Sequence, residues 1–274
     1  MTHFHVIAGS AETPVYPVVR KIRIADIGHA LAAGFDDFRA MPSHLLFLAL
    51  IYLVIGVLLY PSTSGDNALP LLFPILSGYA LIGPFVAIGL YQVSRNRELG
   101  LSHGWRDAFD VLRSPAMPSI LAVGFVLMVI FLLWLTTAQA LYQSSFGVWA
   151  PQSYSHFLHA LVATQMGHRL LLLGGGIGFI YAVVAFSIGV ISFPLMLDRD
   201  VGAAVAIWTS VKAVLINPLV MALWGLIVAV ALALGVLMLL VGLAIVTPIL
   251  GHATWRLYRR VIAPACADSS AGLP

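Results

Sequence analysis

Charged residues are scarce in this sequence, and their scarcity excludes most soluble folds. Of the 274 residues, 9% are charged and 61% are hydrophobic, and the mean hydropathy is +0.99. Soluble domains contain about 25% charged residues. Cysteine is nearly absent as well, because Cys266 is the only one, and this excludes a fold held together by disulfides. We therefore expect an all-α, polytopic integral membrane protein.

Long apolar runs predict six transmembrane helices. A helix needs about 20 apolar residues to cross the hydrocarbon core. The predicted spans are at about 44–60, 69–93, 117–139, 170–193, 218–236 and 239–256. Residues 218–251 carry no charge and would extend about 50 Å as one helix. Because this exceeds what tilting can absorb, we expect a hairpin that turns near 235–238.

The distribution of Lys and Arg predicts the orientation of these spans. With six spans, only Arg169 of the 14 Lys and Arg residues falls in the loops on one side. Cytoplasmic loops carry the excess of positive charge. Both termini are therefore expected in the cytoplasm and residues 140–169 on the opposite side. The first 43 residues show no secretory signal pattern.

A unit of one interfacial amphipathic helix and two spans is repeated three times in this plan. Each odd-numbered span follows an amphipathic stretch (24–41, 105–114 and 203–217) that ends before a proline. Each even-numbered span contains a proline near its cytoplasmic half: Pro84, Pro194 and Pro248. Chance spacing in an apolar sequence is the alternative. The expected domains are a flexible tail (1–20), one membrane domain (21–262, with repeats at about 21–97, 98–200 and 201–262) and a second flexible tail (263–274).

Ionisable groups are missing from the middle of every predicted span, which disfavours ion-coupled transport. Proton pumps and ion-coupled carriers keep costly intramembrane charges for function. The nine histidines lie at the ends of spans or outside them. His156, His159 and His168 have no Cys or carboxylate partner, so a zinc site there is unsupported. No sequence motif of a hydrolase or nucleotide-binding protein is present. We expect no catalytic, cofactor or metal site.

Polar residues gather where the even-numbered spans reach the cytoplasmic side. Asp198 and His252 each follow a repeat proline by four residues, about one helical turn. We expect both to lie near Arg199 and Asn217, where they would hold the repeats in register or contact a partner. An interfacial belt, with arginines reaching the lipid headgroups, is the alternative. The full candidate cluster comprises Tyr91, Arg95, Asp198, Arg199, Asn217, His252 and Trp255.

Three sequence motifs resemble those of one bacterial family. They are residues 77–84 with 89–91 and 94–95, residues 193–199 with Ser210, Asn217 and Trp224, and residues 248–259. Together they resemble the integral membrane family called domain of unknown function twenty-one eighty-nine, over about residues 20–262. The resemblance implies an inner-membrane location and no established catalytic residues. Some members are labelled as cytochrome c oxidase subunits, but this chain lacks the His ligands within its spans that a haem-copper catalytic subunit needs. The label therefore implies an accessory role at most.

Two function classes remain open from the sequence. The first is a non-enzymatic accessory or assembly factor of a membrane complex, such as a respiratory complex. The alternative is a transporter or channel for a small neutral or apolar solute, which repeats and prolines within spans would suit. An enzyme comes third. The expected partners are the lipid bilayer and other membrane-protein subunits, and nucleic acid is not expected.

Overall fold

The regular structure of this protein is helical. The computed structural model describes residues 16–40, 87–101, 111, 113–147, 154–238 and 242–264, and no strand occurs within these segments. The expected all-helical architecture is confirmed for them. The helices are α1 (Ile24–Ala40), α2 (described over 87–98), α3 (Met117–Phe146), α4 (Tyr154–Ala163), α5 (Gln165–Asp198), α6 (Ala203–Ile216), α7 (Pro218–Leu237) and α8 (Leu243–Val261).

Among the described residues, three helices are long and apolar enough to cross a membrane. They are α3, α5 and the Pro218–Gly235 part of α7. These coincide with the predicted spans 117–139, 170–193 and 218–236, so a candidate membrane-spanning helix is confirmed at each of these places. Many of their large apolar side chains are exposed in the isolated chain, as expected for surfaces that face lipid.

The other three predicted spans are not confirmed. The span 44–60 and all but the last residues of 69–93 lie outside the described residues. The sixth, 239–256, corresponds largely to α8, which is not among the helices apolar enough to cross. The second half of α8 is polar and ends on Arg259 and Arg260. The count of six spans stays a prediction.

The apolar run 218–251 forms two helices, as its length predicts. α7 ends at Leu237, α8 begins at Leu243, and the two helices pack against each other. The break brings two glycines together, because a Cβ on Gly242 would lie 2.8 Å from the Cα of Gly235. Any side chain at these positions would force the two backbones apart.

Two of the three predicted amphipathic stretches form helices, α1 and α6. The remaining stretch, 105–114, lies almost entirely outside the described residues. α1 packs chiefly against α8, and α6 packs chiefly against α5. The buried face of α1 is narrow and made mostly of small residues, while Ile24 and Phe35 remain exposed. That buried face comprises Ile27, Ala30, Gly34 and Asp37.

The two ends of the described chain are joined by backbone pairing. Val19 forms an isolated antiparallel bridge with Ile262. The amide of Arg20 donates to the carbonyl of Val261 at 2.8 Å, and the amide of Ala263 donates to the carbonyl of Val18 at 3.0 Å. The segment before α1 is therefore fixed against the end of α8.

Candidate functional site

The polar half of α8 lies between α1 and α2, and glycines set the distances. A Cβ on Gly34 would lie 2.5 Å from the backbone nitrogen of Ala253. A Cβ on Gly251 would likewise collide with the side chain of Leu90. Because neither glycine has a side chain, the three helices come close enough for short polar side chains to meet.

Asp37 is the centre of the first group of polar contacts. Its side chain is 1% exposed, and its two oxygens accept hydrogen bonds from Arg256 at 2.8 Å each. Arg97 Nη1 donates to Oδ1 at 2.6 Å, and Ser94 Oγ donates to Oδ2 at 3.0 Å. Burial alone would raise the pKa of Asp37, but the hydrogen bonds and charge of Arg256 outweigh it and hold the pKa below its usual value. The carboxylate is therefore ionised and joins α1, α2 and α8.

A serine and a histidine extend this group into the core. Ser94 Oγ lies 2.7 Å from Nδ1 of His252, and His252 is fully buried. A hydroxyl has one proton, so if Ser94 donates to Asp37, Nδ1–H of His252 must be the donor to Ser94. The serine thus stands between histidine and carboxylate. In a nucleophilic triad the imidazole occupies that middle position instead.

A second group of contacts connects α2, α5 and α8. Glu98 accepts hydrogen bonds from Trp255 Nε1 at 3.0 Å and from Arg259 Nε at 2.9 Å. Asp198 accepts from the Tyr258 hydroxyl at 2.7 Å and from Arg259 Nη1 at 3.2 Å. Burial and the charge of Asp198 raise the pKa of Tyr258, so its hydroxyl stays protonated and donates. Arg259 therefore bridges two carboxylates on different helices.

Asn217 fixes the chain before α1 to the start of α7. Its Oδ1 accepts from the amide of Ile22 at 2.8 Å, and its Nδ2 donates to the carbonyl of Arg20 at 3.0 Å. Nδ2 also lies 3.2 Å from the carbonyl of Ala213 in α6. The side chain is 4% exposed and satisfies backbone groups rather than capping its own helix.

One comparison with known proteins bears on this chain. The model of a family described as "Predicted integral membrane protein (DUF2189)" matches residues 72–198. The family resemblance is confirmed over these residues. The chain is an integral membrane protein, and the match includes α2, α3 and α5. The motifs at 210–224 and 248–259 fall outside the matched residues. Neither a curated protein nor a solved structure matches the chain.

Part of the predicted polar cluster is found around Asp198. Arg95 Nε lies 3.8 Å from Asp198 Oδ1, and Arg199 Nε lies 3.9 Å from Asp198 Oδ2. Arg199 also donates to the carbonyl of Ala263 near the end of the described chain. Trp255 belongs to the same group, because Glu98 and Arg259 connect it to Asp198.

The remaining predicted residues have partners elsewhere. Among the described residues, no hydrogen bond or ion pair joins His252 or Asn217 to Asp198. Tyr91 is buried on α2, 8% exposed. A role for all seven residues as one functional cluster stays a prediction, which the geometry of the side chains does not test.

The sequence reasoning missed the centre of the network. Asp37, Ser94, Arg97 and Glu98 were not among the candidate residues, although all four are hydrogen-bonded between helices. One signal for Asp37 was present. It continues the small-residue face of α1 at helical spacing, and a carboxylate on the face that packs against another helix requires a cationic partner.

Proposed function

We propose that this protein is a non-enzymatic accessory or assembly factor of a bacterial inner-membrane complex, such as a respiratory complex. The observation that carries the proposal is an open glycine surface in the first half of α5. Gly175 and Gly176 are exposed, and a Cβ on either would meet no atom within 4 Å in the described part of the chain. With Gly174 they form a run of three glycines within an apolar span.

Such a run is costly unless something packs against it. Glycine in a helix interior is about 1 kcal/mol less favourable than alanine. Membrane helices recover this cost where small residues let a second helix approach closely. Gly178 shows this use within the chain, because a Cβ there would lie 2.9 Å from the Trp134 ring. We infer that the three preceding glycines receive a helix of another membrane subunit.

The polar network supports a scaffolding role. Asp37, Glu98 and Asp198 are each bound by arginine side chains, and these bonds join α1, α2, α5 and α8. Asp37 is the buried one of the three, and breaking its ion pairs would leave an uncompensated charge, so the contact between α1, α2 and α8 resists rearrangement. A fixed array of helices suits a protein that positions partners.

We also propose the finer topology: six spans, cytoplasmic termini and three repeats. The packing of the amphipathic helices supports the repeats. α6, from the third repeat, packs chiefly on α5 of the second, and α1, from the first repeat, packs chiefly on α8 of the third. In both cases the amphipathic helix packs on the even-numbered span of the preceding repeat, when the third repeat is counted as the one that precedes the first.

The test is affinity purification of the tagged chain in a mild detergent, followed by mass spectrometry. Gly175→Leu should release the co-purifying membrane subunits, because the leucine side chain fills the docking surface. Ala229→Leu is the matched control, since it adds the same side chain at an exposed position in the middle of α7. Wild-type protein recovered without any other membrane subunit, or equal loss in both variants, would contradict the proposal.

A transporter or channel for a small neutral or apolar solute is the second candidate. It is favoured by an open depression of about 720 Å³ at the start of α5, which has apolar walls and polar groups. Solute flux into proteoliposomes that contain the pure protein would support this alternative. The depression is lined by Gln165, Met166, His168, Arg169, Leu172 and Leu173.

A further inference from the structure

The segment that leads into α1 carries a group of cations whose side chains pair with no carboxylate in the described part of the chain. Arg20, Lys21 and Arg23 are exposed and make no ion pair with any described residue. The arginines of α2 and α8 differ, because Arg97, Arg256, Arg259 and Arg260 all bind carboxylates. With respect to the described residues, the arginines of α2 and α8 are thus ion-paired, whereas the cations before α1 remain open to an anion from outside the protein.

The position of these cations is fixed by the backbone. Asn217 holds the amide of Ile22 and the carbonyl of Arg20, and the amide of Arg20 pairs with Val261. Asn217 is the residue immediately before α7, a candidate span. The three cations are thus held beside the point where α7 begins, which is where an apolar span meets the headgroup layer.

Exposed apolar side chains lie on the elements that adjoin the cations: α1, α6 and α7. Ile24 follows them directly, and Leu219, in the first turn of α7, is 81% exposed. On α6, Trp208 is 58% exposed and shares one helix face with Lys212 and Leu215. Exposed tryptophan, leucine and lysine on one face are typical of helices at the boundary between headgroups and acyl chains.

We propose that Arg20, Lys21, Arg23 and Lys212 form a binding surface for the headgroups of anionic phospholipids. Charge complementarity selects this partner, since the surface is cationic and lies where a membrane presents phosphate groups. The nearest carboxylate is that of Asp26, in the first turn of α1, which accepts a hydrogen bond from the Arg23 backbone amide and is ion-paired with Arg260 at 2.7 Å. This inference does not rest on the accessory role, because it needs only the membrane location.

The test uses the whole protein in detergent and two defined lipids, phosphatidylglycerol and phosphatidylcholine. Native mass spectrometry counts the lipids that remain bound, and titration gives an apparent Kd for each. The wild-type protein should prefer phosphatidylglycerol. The triple variant R20Q/K21Q/R23Q should bind it about tenfold or more weakly, since each cation near a membrane surface contributes on the order of a fivefold effect.

Two control variants separate charge from general damage. R20K/R23K keeps both charges and should retain the wild-type affinity. R169Q removes an exposed cation near the start of α5, the end of that helix that is remote from α6. It should leave the affinity for phosphatidylglycerol unchanged. If the triple variant does not fold, the single variants and a salt titration of the wild type replace it, because screening must weaken the phosphatidylglycerol preference. Unchanged binding by the cation variants, a salt-independent preference or equal loss in R169Q would overturn the proposal.

Discussion

Both carboxylate oxygens of Asp37 accept hydrogen bonds from the guanidinium group of Arg256, at 2.8 Å each. The two residues are 219 positions apart in the sequence. Bidentate pairing of this kind is stronger and more directional than a single hydrogen bond. It attaches α1 to α8, and Arg97 attaches α2 to the same carboxylate. The group of contacts that joins α1, α2 and α8 therefore depends on one acidic residue of α1.

Removing this carboxylate should strongly destabilise the protein. Asp37→Ala leaves two arginines partly buried without their shared partner, and breaking a buried ion pair costs about 3–5 kcal/mol. Thermal melting in detergent, followed by size-exclusion chromatography, measures the loss. Asp36→Ala is the matched control, because Asp36 is exposed and has no ion pair among the described residues. Its substitution should change the free energy of unfolding by no more than about 0.5 kcal/mol. Similar melting temperatures for the two variants would contradict the assigned role.

Two glycines of α1 should respond oppositely to the same substitution. Gly34→Ala places a Cβ 2.5 Å from the backbone of α8 and must push the helices apart, so it should lower the melting temperature. Gly28→Ala meets no atom within 4 Å among the described residues. It should stabilise the helix by about 0.4–1 kcal/mol through the lower entropy of the unfolded chain. Destabilisation by Gly28→Ala, or none by Gly34→Ala, would show that this helix contact is misplaced.

His252 should matter for folding more than another histidine of the same chain. His252→Ala leaves a cavity and removes a partner of Ser94, and unpaired buried polar groups cost about 1–3 kcal/mol each. We expect less folded protein in the membrane. His29, exposed on α1, serves as the control, and His29→Ala should leave the amount unchanged. Equal amounts of both variants would support an interfacial belt instead.

Secondary structure was largely predictable because apolar length and prolines determine it. The spans at 117–139, 170–193 and 218–236 follow from about 20 apolar residues each. The helix 24–41 was predicted from the apolar spacing of Ile24, Ile27, Leu31, Phe35 and Phe38. Only Ile27 of these is buried, because the face that contacts α8 contains Ala30, Gly34 and Asp37. Periodicity predicted the helix, but close packing by small residues determined its contact face.

The polar contacts were less predictable because they join distant parts of the chain. Asp198 was selected for its position one turn after Pro194, whereas its bonds to Tyr258 and Arg259 depend on how α8 lies against α5. Asn217 was selected for its position before a span. Its actual partners are backbone groups of residues 20 and 22, and no side-chain pattern in the sequence indicates such a contact.

Acid should destabilise the protein through its paired carboxylates. The pKa of Asp37 lies below its ordinary value of 3.8 despite burial, because of Arg256, and the backbone amide of Arg23 lowers the pKa of Asp26. The folded state then binds fewer protons than the unfolded chain. The resulting stability is present above about pH 4 and is lost as the pH falls through the folded-state pKa values. A plot of melting temperature against pH should therefore fall at acid pH. Asp37→Asn should make this fall smaller and Asp36→Asn should not, whereas identical curves for the two variants would argue against the pairing.

The orientation of the chain can be tested with its single cysteine, Cys266, which lies outside the described residues. The distribution of Lys and Arg predicts a cytoplasmic C-terminus. In right-side-out spheroplasts, a membrane-impermeant maleimide should therefore label Cys266 only after lysis. The double variant R169C/C266S provides the control, because Arg169 is exposed at the start of α5 and is predicted on the opposite side. It should be labelled before lysis.

Five spans, by contrast, would place Cys266 and the arginines of α8 outside the cytoplasm, against the charge rule. Labelling of Cys266 in intact spheroplasts would overturn the six-span topology, and the R169C/C266S result would show whether the reagent reaches the outer face.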